Sequence, residues 1–203
     1  MKGLFKRIYY GFFSRLFKWK FHRIKASLKP LVPVYLVDID NTLADTWPSL
    51  QELVYDKEQD RYRSLSVFLG MRKLIVCKRK VAKVIFISAR GFLSYRTTRQ
   101  WLRSCGLEGC DLILVAHAAD KMYYIKTLIS MELPVVYIDD LSYNHEHGDM
   151  KLYDELIQEV NGLPLTYLGI KEIEIINSNK KTDEIDHQDT QKTCENFSDY
   201  CQH

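Results

Sequence analysis

The stretch Val34-Tyr35-Leu36-Val37-Asp38-Ile39-Asp40-Asn41-Thr42-Leu43-Ala44-Asp45 decides how the chain is read. An apolar run rich in β-branched and aromatic residues stops abruptly at two aspartates one residue apart, and a polar turn follows. Such a run is a buried strand whose C-terminal end delivers carboxylates into a crevice. Open α/β sheets bind their ligands at that end of the strands. A strand ending in solvated aspartates has the same local sequence, so the rest of the chain must separate the two.

Downstream, the same design recurs. Val84-Ile85-Phe86-Ile87 is a second apolar strand, ending at Ser88-Ala89-Arg90-Gly91. A helix over 95–104 follows, with Thr98, Trp101 and Leu102 at helical spacing, and Gly106 terminates it where a left-handed residue is wanted. Residues 112–115 form a third strand. Residues 121–130 form a helix with Met122, Ile125, Leu128 and Ile129 inward, and Pro134 leads into a fourth strand, 135–138, ending at Asp139-Asp140. A turn over 141–148, a helix over 149–160 and a short strand over 163–168 complete the pattern. Between Thr42 and Lys83, helical patterning falls in two pieces, one opening at Trp47-Pro48-Ser49, the other marked by Leu65, Phe68, Leu69, Arg72, Leu74, Ile75 and Val76. The polar run 56–63 between them reads as a solvated loop or flap. Strands and helices alternating over short links predict one α/β domain, residues 31–176, with a Rossmann-like parallel sheet in three layers.

Outside that domain the composition changes. Residues 1–30 hold nine Lys/Arg and no acid; subtracting that +9 from the net +3 leaves −6 for the remainder. A uniformly basic nucleic-acid surface is therefore not indicated. Leu4, Phe5, Ile8, Tyr9, Phe12, Phe13, Leu16 and Phe17 recur at three- and four-residue spacing, which predicts an amphipathic helix over 1–29 closed by Pro30. Arg7, Ser14, Arg15, Lys18 and Lys25 fall mostly on its other side. A small-residue cleavage site is missing, so the segment does not read as a signal peptide. It suits a helix lying in an anionic membrane interface, or one docked on its own domain or on a partner protein. Residues 177–203 are too polar to offset their ordering entropy and read as a disordered tail. No apolar run approaches the roughly 20 residues needed to span a bilayer. Cys77, Cys105, Cys110, Cys194 and Cys201 form no CxxC pair and read as reduced thiols. The expected location is cytoplasmic, with peripheral attachment at the inner face of a membrane through residues 1–29.

Parallel strands point their C-termini the same way, so Asp38 and Asp40, Ser88 and Arg90, and Asp139 and Asp140 converge on one crevice. Lys121 opens the helix before the last strand. In this order the residues resemble the haloacid dehalogenase-like phosphohydrolase superfamily over roughly residues 33–169. Asp38-Ile39-Asp40-Asn41-Thr42 looks like its first motif, Ser88 its second, Lys121 its third and Asp139-Asp140 its fourth. The resemblance implies phosphoryl transfer, in which positioning and charge neutralisation supply most of the catalysis. Asp38 would be the nucleophile that forms an aspartyl-phosphate, and Asp40 the general acid and base. Thr42, Ser88, Ala89, Arg90 and Lys121 would bind the phosphorylated substrate, with Lys121 offsetting its charge. Asp38, the backbone carbonyl of Asp40, Asp139 and the nearby Asp140 would hold a hard divalent cation; oxygen-only ligands favour Mg²⁺.

An aspartate two residues after the nucleophile looks like a phosphatase or phosphomutase, and about forty residues between the first two motifs leave no room for a large cap. An uncapped phosphatase is the expected activity. Ser88 could alternatively cap the following helix, Arg90 could be a surface residue or a salt-bridge partner, and Lys126 could replace Lys121. His145 and His147 read as polar loop residues. Phe86-Ile87-Ser88-Ala89-Arg90, Thr98, Trp101-Leu102, Lys121 and Ile138-Asp139-Asp140 also look like the phosphatase domain of polynucleotide kinase-phosphatases, which makes a polynucleotide 3′-phosphatase one alternative. The same serine–arginine–threonine arrangement also looks like that of some bacterial acid phosphatases. A non-catalytic scaffold on the same fold is the alternative of another class.

Overall fold

A computed structural model describes residues 2–51, 55 and 57–178. In chain order the elements are α1 (Lys2–Lys25), β1 (Val34–Val37), β2 (Ala44–Asp45), α2 (Trp47–Gln51), α3 (Glu58–Ser64), β3 (Ser66–Val67) and α4 (Leu69–Lys78). They continue with β4 (Lys83–Ser88), α5 (Tyr95–Ser104), β5 (Asp111–Leu114), α6 (Lys121–Ile129), β6 (Val135–Ile138), β7 (Ser142–Tyr143), β8 (Lys151–Leu152), α7 (Asp154–Asn161), β9 (Thr166–Leu168) and α8 (Ile170–Ser178).

Five strands form one parallel sheet in the order β5-β4-β1-β6-β9. Every residue of β1 is buried, as a central strand covered on both faces requires. Helices flank the sheet in a Rossmann-like three-layer α/β/α arrangement, and the described residues include no large cap. Leu36, Ile85, Phe86, Ile113 and Tyr137 lie at the centre of the core. In register, Val37 pairs with Phe86 on one side and Ile138 on the other, so β1 and β6 finish level and β4 runs two residues further, to Ser88.

Several local expectations are corrected. The polar run 56–63 is not a loop where it is described: residues 58–64 are α3, whose Tyr62 is buried and whose other side chains mostly face solvent. One inward aromatic ring per turn suffices to seat a helix when its socket is elsewhere in the chain. Residues 66–67 are an antiparallel partner of β2 rather than the start of a helix. The helix expected from 149 starts at Asp154, because Lys151–Leu152 pairs with Ser142–Tyr143. Beyond residue 169 the chain forms α8, which the sequence reading left unassigned. Glu172 accepts the Gly169 N–H at 2.9 Å at its start, and Ile173 and Ile176 are buried. Asn177, expected in the tail, lies in the last turn of α8, and its Oδ1 accepts the Met71 N–H at 3.0 Å. Residues 179–203, which hold the rest of the expected tail, lie outside the described residues.

The N-terminal helix docks on its own domain. Phe17, Phe21 and Ile24 are buried, and the rings of Phe13 and Phe17 stack on Phe92 at 5.5 and 5.6 Å. Lys20 Nζ donates to Tyr95 Oη at 2.6 Å and to the carbonyl of Leu112, on edge strand β5, at 2.8 Å. The helix thereby covers an edge that would otherwise present unpaired backbone groups. Among the described residues no helix is long and apolar enough to cross a membrane.

Candidate active site

The strand ends deliver their carboxylates as expected, and two tight turns hold them. After β1, Asn41 adopts φ 55°, a left-handed conformation that asparagine tolerates. Its Oδ1 accepts the Trp47 N–H at 3.0 Å. After β6, Leu141 adopts φ 45°, which is strained for a branched side chain. Its N–H donates to Asp139 Oδ1 at 2.9 Å, so the turn is held by the carboxylate that it presents. Thr42, assigned to substrate, is fully buried: its Oγ1 accepts the Asp140 N–H at 3.2 Å and donates to Asp140 Oδ1 at 3.3 Å. It ties the two motif loops together.

Lys121 is the hub. Its Nζ lies 2.6 Å from Asp38 Oδ1 and 2.6 Å from Asp139 Oδ2, with all three side chains buried. Burial opposes the ammonium charge, but Asp139 and Asp38 outweigh it and push the lysine's pKa up. Lys126, the alternative, is instead an exposed partner of Glu159 at 2.6 Å. Asp139 Oδ2 also accepts a hydrogen bond from Tyr137 Oη. Tyr137, which reads in the sequence as a plain strand residue, is a buried support of the site. A buried tyrosine hydroxyl needs a partner, and that need was the available signal.

Asp40 belongs to a second arrangement. Arg90 grips it with a fork, Nε to Oδ2 at 2.9 Å and Nη2 to Oδ1 at 2.8 Å. Thr46 Oγ1 donates to Oδ1 at 2.9 Å and Ser88 Oγ to Oδ2 at 3.3 Å. Burial would raise the Asp40 carboxyl, yet the Arg90 charge and hydrogen bonds override it and hold the carboxyl below the usual range. Arg90 is no surface residue: it is buried, with its guanidinium 4.2 Å from the centre of the Tyr62 ring and 5.7 Å from that of Trp101. Nor does Ser88 cap the following helix, since its Oγ bonds Asp40 and accepts the Arg90 N–H at 3.3 Å. Ala89 lines the crevice between these groups.

The crevice, about 190 Å³, is also lined by Arg61, Tyr62 and His145. Reading 56–63 as a flap missed Arg61 and Tyr62, and reading His145 as a loop residue missed its burial. His145 Nε2 meets Asn41 Nδ2 at 2.9 Å and Ser142 Oγ at 2.7 Å, and its ring packs 4.8 Å from Trp47. Burial lowers the pKa of the imidazole, against the charges of Glu146 and Asp40.

Oxygens of Asp38, Asp139 and Asp140 lie within 4.8 Å of one another. Burial pushes the Asp38 carboxyl up; Lys121 opposes this, while Asp139, Asp40 and Asp140 reinforce it. Burial and the Asp139 charge raise Asp140 to about 7, against the pull of its hydrogen bond from Ser142 and the charge of Lys121. Three carboxyls, Asp38, Asp139 and Asp140, thus share this corner with the Lys121 ammonium. A hard divalent cation could be held here, and an all-oxygen donor set would suit Mg²⁺. Asp40 lies outside that cluster through its side chain. No protein-family model and no curated protein matches this chain.

Proposed function

We propose that the protein is a Mg²⁺-dependent phosphomonoesterase that works through an aspartyl-phosphate on Asp38, as a member of the haloacid dehalogenase-like superfamily. One observation carries the reading: Lys121 bridges Asp38 and Asp139 at the closed end of a crevice in which Asp38 and Asp140 are left short of positive charge. Asp38, Asp139 and Asp140 would hold the cation, which when bound supplies charge neutralisation for the phosphoryl group and keeps Asp38 ionised.

Each residue then has a task. Asp38 attacks phosphorus, the bond to the leaving oxygen breaks, and Lys121 stabilises the charge gathered on phosphate and nucleophile. Asp40 protonates the leaving oxygen and afterwards takes the proton of the attacking water. In the resting site Arg90 keeps Asp40 ionised. Asp40 itself lines the crevice, and the negative charge of an arriving phosphate would raise its carboxyl and let it carry the proton. Ser88, bonded to Asp40 Oδ2, would hold that carboxyl in position. The crevice is smaller than the roughly 300–1,000 Å³ of sites that enclose a small molecule. It therefore takes the phosphate end of a larger substrate. In this reading the enzyme is cytoplasmic and held peripherally at the inner face of a membrane.

The test is turnover of an aryl phosphate and a panel of phosphomonoesters with Mg²⁺, comparing the natural chain with Asp38→Asn. Activity in the natural chain, lost on substitution with circular dichroism unchanged, is the expected result. Retained turnover in Asp38→Asn, or none by the natural chain on any ester, would overturn the assignment.

A further inference from the structure

Docking α1 on the domain does not use up its apolar residues. Tyr9, Phe13, Phe17, Phe21 and Ile24 pack inward. Ile8, Phe12, Leu16 and Trp19 remain 60%, 62%, 43% and 58% exposed. At 3.6 residues per turn these four fall within an arc of about 80° on the side away from the sheet. The face differs from the one expected from spacing alone, which merged Tyr9, Phe13 and Phe17 with it. Large contiguous exposed apolar surface on a soluble domain marks an interaction site.

Its chemistry selects the occupant. Exposed Arg15 and Arg23 interleave with the stripe, and the Arg23 guanidinium lies 5.1 Å from the centre of the Trp19 ring. The helix carries no acid. A tryptophan beside an arginine, on a helix with Phe and Ile facing out, suits the headgroup level of a bilayer, where the ring is half-immersed and the cation reaches phosphate. A second copy related by a two-fold axis would instead set Arg15 and Arg23 against like charges.

We propose that the outward face of α1, built on Ile8, Phe12, Leu16 and Trp19 with Arg15 and Arg23, binds the surface of an anionic lipid bilayer. The helix docks through Phe92, two residues beyond Arg90, so its N-terminal half stands at the crevice end of the sheet. Membrane binding thus brings that end towards the headgroups, and the substrate class becomes phosphomonoesters carried at the membrane. This last step rests on the phosphatase reading; the binding does not.

The experiment is flotation of the full chain with vesicles of phosphatidylcholine alone or mixed with phosphatidylglycerol. The natural chain is expected to float with the anionic vesicles only. Raising salt from about 0.1 to about 1 M, which shortens the Debye length from about 10 to about 3 Å, should release it. F12S/W19S should weaken binding more than about tenfold, and R15E/R23E about 25-fold or more. Both leave the melting temperature and the turnover of a soluble aryl phosphate unchanged, whereas hydrolysis of a phosphomonoester lipid in those vesicles falls. Failure of the natural chain to float, or equal flotation of both variants, overturns the proposal. So does a dimer that F12S/W19S dissociates in the absence of vesicle binding. If no ester is hydrolysed but flotation behaves as stated, the phosphatase reading fails and the membrane surface stands.

Discussion

Replacing Lys121 by Met tests the electrostatics of the site without relying on its chemistry. Lys121 Nζ touches Asp38 and Asp139 at 2.6 Å each, with side-chain exposures of 4%, 7% and 3%. At an effective dielectric of about 20, each contact contributes roughly 6 kcal/mol of gross attraction. Most of that offsets the several kcal/mol of desolvation that each buried ion carries. Taking one partner away leaves the others unpaired, and such removals cost about 3–5 kcal/mol. For a domain of this size that corresponds to a fall in Tm of roughly 6–20 °C. The loss depends on pH in a definite direction. Asp38 and Asp140 already have raised pKa values, and Lys121 opposes the shift in both. Without it they take protons more readily, and protonated carboxyls do not repel. The deficit is therefore largest near about pH 8 and shrinks towards about pH 5. Urea unfolding in a chelator, at both pH values, measures it. Lys126→Met is the control: its partner Glu159 is also 2.6 Å away, but the pair is 54% and 44% exposed, and its loss should stay under about 1 kcal/mol. A Lys121→Met variant within about 1 kcal/mol of the natural chain at the higher pH, or no worse than the control, would refute the reasoning.

Two further outcomes follow from the same geometry. Asp140 is raised from 3.8 to about 7 on folding, so its contribution to stability is full below the unfolded pKa and is lost as pH rises through about 7. The ceiling of that loss is about 4 kcal/mol. In a chelator the natural chain should lose stability over this window, Asp140→Asn should lose less because only Asp38 remains raised, and saturating Mg²⁺ should flatten the profile; identical profiles for the two proteins in chelator would count against the raised Asp140 carboxyl. In Gly70→Ala the new Cβ would lie 2.1 Å from the backbone oxygen of Ile176, so α4 and α8 must separate. The helix-propensity gain of about 1 kcal/mol cannot offset overpacking at the upper end of about 1–3 kcal/mol. The urea midpoint should fall, and a stabilised variant would disprove the close approach.

The pieces that were legible early share one property: their signal is local. An apolar run such as Val34–Val37 must be buried on both faces, and its abrupt end at Asp38 announces itself without knowledge of any neighbour. Lys121, Asp139 and the helix over 95–104 were readable in the same way. Arg90 was visible as a strand-end residue, but its grip on Asp40 was not, because the two lie fifty positions apart. Tyr62 looked like one aromatic in a charged run, since the guanidinium it packs against comes from another element. Tyr137 and His145 failed for the same cause.

By itself, the sequence determined the sheet and the convergence of acid, hydroxyl and lysine at its C-terminal end, because strand periodicity and parallel direction follow from short-range sterics and burial. Tertiary structure alone decided which partner each charge takes: Lys121 for Asp38 and Asp139, Arg90 for Asp40. It also decided which side of α1 is spent on the domain. Both are competitions between contacts far apart in the chain, settled by packing and distance, and neither leaves a periodic mark in the sequence.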